Sequence, residues 1–286
     1  MKKTFAVVSS LAMLLAFSPV GSASTELVKS EPSKSVVSVS QSGNGKSLAS
    51  EITKLDKQTL KANQRALKKQ VDTLSDTEFD KFMHNYVKEN KNYLSSSELT
   101  NRLNMLGIEF SMKDRATPEF SAQAIGVDQI TLSSYSAKRG GDSYYRLYIS
   151  WDSSVSEARP GSYDLVSIEW DPTVGAYYDA NVGDTTKATK RDGSRRTSGI
   201  YLFNVLDNKL DFDTYATVYV TPKKSGWLEY GSKYTHTYSK TSTSTTVGAA
   251  FNYATAGSTG GLTYNVTLSE TEASWDKWDD NAVNLP

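Results

Sequence analysis

The chain has 286 residues, 32 basic and 32 acidic side chains, two histidines and no cysteine. Balanced charge removes the electrostatic argument for a nucleic-acid partner. The lack of thiols excludes disulfide frameworks, thiolate metal sites and cysteine nucleophiles.

Met1-Lys2-Lys3 is a short basic start, Phe5 to Phe17 is almost unbroken apolar sequence, and Gly21-Ser22-Ala23-Ser24 is a run of small residues. That order predicts a signal peptide over residues 1–23, cut after Ala23. The apolar stretch is too short to span a bilayer comfortably and no second one follows, so the mature chain is expected to have no transmembrane helix. A secreted, extracellular protein is expected, and a cysteine-free one suits a bacterium.

Residues 24–50 are Ser-, Gly- and Lys-rich with little to bury, and read as a flexible linker. Residues 51–107 have helical spacing. Ile52, Leu55, Ala62, Ala66, Leu67, Val71 and Leu74 fall near one face of a first amphipathic helix. Ser75 with Glu78 opens a second helix that buries Phe79, Phe82, Met83, Tyr86 and Val87. Ser95 with Glu98 opens a third, which Gly107 ends. This segment has a small excess of base and the remainder a small excess of acid. The contrast leaves two expectations open: a pro-region that covers the rest, or a helical domain that stays attached.

From about Val127 the pattern changes to short strands separated by Gly-, Asp- and Pro-containing turns. Strands are expected over 128–137, 143–151, 163–170, 176–179, 199–205, 214–221, 227–237, 243–253 and 262–269. Residues 127–286 therefore read as an all-β antiparallel sandwich, and the whole chain as α+β, with amphipathic helices before the sandwich.

No motif identifies an activity. There is no Gly-x-Ser-x-Gly elbow and no His-Glu-x-x-His zinc helix, so no catalytic, cofactor or metal residue is assigned. His84 and His236 read as boundary and packing residues. Glu169 and Asp171 flank Trp170, and Asp207, Asp211 and Asp213 cluster; the second set lacks the EF-hand spacing and its glycine, and the separation across a cleft that a glycosidase pair needs is not measured by position in the chain.

Three features point to a partner. Lys190, Arg191, Arg195 and Arg196 surround an Asp192-Gly193 turn and suit phosphate-rich cell-wall polymers, carboxylated glycans or anionic lipid surfaces. Trp275 and Trp278 near the C-terminus read as sugar platforms or interfacial anchors. The stretch Thr235–Ser269 alternates cleanly. Val247, Phe251 and Tyr253 share an apolar face going out, and Leu262, Tyr264, Val266 and Leu268 share one coming back.

That hairpin fits a sheet surface, and it also fits a membrane-inserting β-hairpin. The expected function is a non-catalytic binding module for a cell-surface or extracellular partner. The alternatives are membrane disruption by the hairpin and hydrolysis by paired carboxylates.

Overall fold

The computed structural model describes residues 44–114, 129–153, 161, 164–206, 213–240, 250–254, 259 and 261–286. The expected signal peptide and most of the expected linker lie outside these residues. Among them are four helices: α1 (Gly45–Thr53), α2 (Lys57–Thr73), α3 (Asp76–Asn90) and α4 (Ser96–Met105).

The linker reading fails at its end, because α1 begins at Gly45. Asn44 caps it by accepting from the Lys46 amide, and Gly45 donates to Glu78 Oε2 at 2.7 Å. A Cβ on Gly45 would lie 1.9 Å from the Glu78 carbonyl oxygen, so only glycine allows this helix so close to α3. The expected single helix from Ile52 to Leu74 is in fact two. Asp56 stops the run and accepts from the Thr59 amide at 2.8 Å, starting α2 afresh. Ser95 with Glu98 forms the expected reciprocal capping box of α4; Ser75 caps α3, but the Glu78 side chain turns to Gly45 and Lys81 and does not complete the box.

Twelve strands are described: β1 (Ile108–Ser111), β2 (Ile130–Arg139), β3 (Tyr145–Ser153), β4 (Asp164–Trp170), β5 (Gly175–Val182), β6 (Ala188–Lys190), β7 (Ile200–Val205), β8 (Thr214–Pro222), β9 (Gly226–Ser239), β10 (Ala250–Ala254), β11 (Thr263–Thr267) and β12 (Glu272–Leu285). All pairings among them are antiparallel. One sheet runs β1-β2-β3-β8-β5 and a second runs β12-β9-β4-β7-β6. Strand β1 extends the first sheet upstream of residue 127. Strand β12 takes up the tail and pairs with β9 from Glu272↔Ser239 to Leu285↔Gly226.

Alternate side chains of the two sheets meet in one core, including Leu147, Ile149 and Trp151 from the first and Val166, Ile168 and Trp170 from the second. The outer faces are also covered. The helices pack on the first sheet through Tyr135, Ala137, Tyr148 and Tyr215. The β10–β11 hairpin packs on the second through Leu165, Ile200 and Leu202. Strand β4 is accordingly buried at every residue, which one-sided packing would not produce.

Polar groups join the helical layer to the first sheet. Asp80 of α3 is fully buried and accepts from Tyr148 at 2.7 Å, Tyr219 at 2.6 Å and Asn181 at 3.0 Å, and it pairs with Arg146 at 3.3 Å. Arg146, itself fully buried, also bonds Asp76 and Asp142. Burial pushes the Asp80 carboxyl up, against the pull of Arg146 and its three donors.

Candidate functional site: an arginine–aromatic patch

The basic loop and the hairpin, separate features in the sequence, meet in space. The loop joins β6 to β7. Its turn is held by Ser194, whose hydroxyl donates to the Arg191 carbonyl at 2.9 Å and accepts from the Leu202 amide at 3.0 Å. A short turn over Arg196–Ser198 then ends at Gly199, whose φ of 74° is left-handed. A Cβ there would lie 2.1 Å from the Trp170 carbonyl oxygen, so the loop's return into β7 requires glycine.

This frame lays three guanidinium groups on aromatic rings. Arg191 lies 4.6 Å from the Phe251 ring and Arg195 lies 4.9 Å from that of Tyr253. Arg196 covers Tyr177 at 5.1 Å and Tyr201 at 5.4 Å, two rings that stack on each other at 5.6 Å. The Tyr253 hydroxyl donates to the Gly193 carbonyl at 2.8 Å and ties the hairpin to the loop. Arg191 also donates to Asn204 Oδ1.

Burial raises the Tyr253 hydroxyl and pushes that of Tyr177 to about 12, so both rings stay neutral beneath the cations. Arg195 and Arg196 are exposed, and neither forms an ion pair among the described residues. Lys190 stands apart, 3.9 Å from Asp179. An open concavity of about 450 Å³ adjoins Arg195, lined by Phe251, Asn252, Tyr253, Ala254 and Leu262.

A guanidinium over a ring face can still turn N–H groups to a carboxylate or phosphate, which the exposed Arg195 and Arg196 are placed to do. The hairpin supports this arrangement. Phe251 pairs with Val266 and Tyr253 with Tyr264, and these side chains with Leu262 face the second sheet, while Asn252, Asn265 and Thr267 face out. Leu268 is half-buried beyond the end of β11. Val247 lies outside the described residues.

The two tryptophans do not act together. They stand three residues apart on β12 and so point to opposite faces. Trp275 turns inward, its ring 5.7 Å from Tyr234 and 5.0 Å from His236. Trp278 is half exposed and borders a groove of about 350 Å³ with Met112, Lys113, Lys277 and Asp280.

His236 is fully buried, with Nδ1 2.8 Å from Asp164, which also accepts from the Thr237 amide and the Tyr234 hydroxyl. His84 lies 3.3 Å from Asp213. Asp171 accepts from the Thr173 amide in its turn. Glu169 lies beneath the hairpin and accepts from Ser167 at 2.8 Å and Thr263 at 2.9 Å. Asp207 and Asp211 lie outside the described residues.

Sequence reasoning missed Tyr177, Tyr201 and Asn204 as parts of the patch. Strand alternation alone places aromatic side chains on a face without saying which loop covers them.

No family model matches the chain, and no curated protein does. Among solved structures, it is similar to the C-terminal domain of the Streptococcus pyogenes antigen I/II-family protein AspA, at 13% identity over 36% of this chain and 35% of that one, with a TM-score of 0.26. It is also similar to a structure from Streptococcus parasanguinis Fap1 fimbriae, at 11% identity over 55% and 80%, TM-score 0.26. A third is the Clostridium perfringens NetB toxin in its membrane-inserted form, at 7% identity over 54% and 90%, TM-score 0.26. The chain spans about a third of the AspA domain, and likenesses this partial, to proteins this different, assign it no function.

Proposed function

We propose that this chain is an exported, non-catalytic binding module that holds an anionic cell-surface polymer on the arginine–aromatic patch. The observation that carries the reading is the set of three guanidinium groups stacked on rings drawn from three parts of the chain, two of them exposed and without a carboxylate partner among the described residues. Phosphate and carboxylate groups spaced along a polymer match paired arginines better than a single small ligand would. Retention on purified cell walls tests the reading. Replacing Arg195 and Arg196 by Gln should lower retention about ten-fold, as expected when charge-assisted hydrogen bonds are removed. Unchanged retention by that variant contradicts the reading.

A second reading has its own observation. Between Lys240 and Glu270 the chain carries no charged residue, although charged residues make up 22% of the whole. Strands β9 and β12 pair on either side of this excursion without its help, and its apolar face packs on a small cluster separate from the main core. An uncharged amphipathic hairpin on a separate footing is suited to entering a bilayer. Dye release from anionic and neutral liposomes tests it. Wild-type protein should cause leakage, and a variant with the excursion replaced by a short turn should not. Absence of leakage from the wild type rejects this reading and leaves the first intact.

A further inference from the structure

On the outer face of the second sheet, beneath the hairpin, lies a lysine that the binding readings do not use. Lys233 is 3% exposed, and its ammonium group meets Asp276 Oδ2 at 3.0 Å and the Tyr264 carbonyl at 2.8 Å. The Tyr264 ring lies 4.5 Å from Nζ on one side, and the Trp278 ring 5.0 Å. Asp276 is held in turn by the Thr235 hydroxyl at 2.6 Å.

Lys233 and Asp276 sit diagonally across the β9–β12 pair, with Lys233 opposite Trp278 and Asp276 opposite Thr235. Ser167 of β4 is the residue directly across from Lys233, and it donates to Glu169, a carboxyl 1% exposed and close enough to feel the Lys233 charge. Strands β9 and β12 thus hold a buried amine against a carboxyl, while Glu169 lies on the other side of Lys233, across from Gly231 where Asp276 is across from Thr235.

We infer that Lys233 and Asp276 condense into an intramolecular amide that covalently joins β9 to β12. The step balances without an oxidant, reductant or outside reagent. The ion pair first passes one proton from Nζ to the Asp276 carboxylate. The amine lone pair then attacks Cγ. The C–N bond forms as the C–O bond and one N–H bond break, and the hydroxyl leaves as water with that proton.

Condensation of a free acid with an amine is sluggish in bulk water. Holding the two groups in contact supplies effective molarities of roughly 10⁵–10⁸ M; the amine side is buried, and Asp276, on the open side, lets the water formed depart. The amide would serve a chain with no cysteine as a disulfide serves others, closing the loop that contains the whole hairpin excursion. It would hold whether or not the patch binds a polymer, because neither Lys233 nor Asp276 belongs to the patch.

Intact-mass spectrometry of the purified full chain is the test. The expected mass is lower by one water than that of the same sequence unlinked, and peptide mapping should find the Lys233 and Asp276 peptides joined. Lys233→Arg should have the full mass of its sequence. Asp276→Asn should lose one ammonia in place of one water with the same two peptides still joined, which separates the cross-link from a succinimide of equal mass. A folded wild-type protein with the full mass of its sequence, and with Lys233 open to amine labelling once denatured, would overturn the inference.

Discussion

At the scale of single residues, burial and pairing set opposite pH responses in two acids. Burial raises the Glu169 carboxyl to about 6 against an ordinary 4.5, despite hydrogen bonds from Ser167 and Thr263. Its contribution to stability is therefore full below the unfolded value and lost as pH rises through about 6. Glu169→Gln keeps an acceptor for both hydroxyls and removes the buried charge. It should gain roughly 2 kcal/mol at pH 8 and nothing at pH 4, read from urea midpoints at the two pH values. Equal gains at both would show that the charge is not the cause.

For Asp213, burial pulls upward, but the hydrogen bonds and charges of His84 and Lys88 win and hold its carboxyl well below the usual range. That stability is present above the unfolded value and fades as pH falls. Asp213→Asn should thus destabilise at neutral pH and converge on wild type in acid. The third residue is Arg146, the fully buried cation of the helix–sheet contact. Arg146→Met should cost about 3–5 kcal/mol in chemical denaturation, because Asp80 is left buried without its counter-charge. A companion Asp80→Asn should recover part of the loss.

At the scale of elements, the hairpin was the most legible part of the candidate site. Its alternation of Tyr264 and Val266 against Asn265 and Thr267 corresponds to the inward and outward faces of β11, while Thr263 departs from it by reaching the buried Glu169. The basic loop was legible as a loop, yet its stacking on that hairpin was not, since nothing in local sequence encodes which distant ring an arginine meets. Strand β12 was hidden because Asp276, Lys277, Asp279 and Asp280 lower its strand propensity. Such charges suit a strand at the edge of a sheet, where β12 lies.

Helix α1 was hidden by its serines and glycines, which look like linker until Gly45 is seen against α3. The helices α3 and α4 were legible because their caps are local chemistry. Replacing residues 241–269 by a short turn should leave a cooperative fold, since β9 and β12 pair without them. The same variant should lose patch binding, because Phe251 and Tyr253 leave with it. Loss of cooperativity in thermal unfolding would make the hairpin part of the core structure.

At the scale of the whole molecule, the described residues form four layers: helices, sheet, sheet, hairpin. The helical layer covers Tyr135, Tyr148 and Tyr215 and shares a buried ion pair with the sheet. A chain starting at Ile108 would expose all of these and should aggregate, whereas a soluble, folded product would revive the picture of a removable cover.

No helix among the described residues is long and apolar enough to cross a membrane. The site proposed for binding lies where a loop of the second sheet meets the hairpin that covers it, with Arg196 reaching Tyr177 of the first sheet. Its affinity for a soluble poly(glycerol phosphate), measured across a range of salt concentrations, tests that assignment most directly. Binding through Arg195 and Arg196 predicts an affinity that falls steadily with salt, and falls less steeply once both are replaced by Gln. An affinity indifferent to salt and to those two substitutions would contradict it.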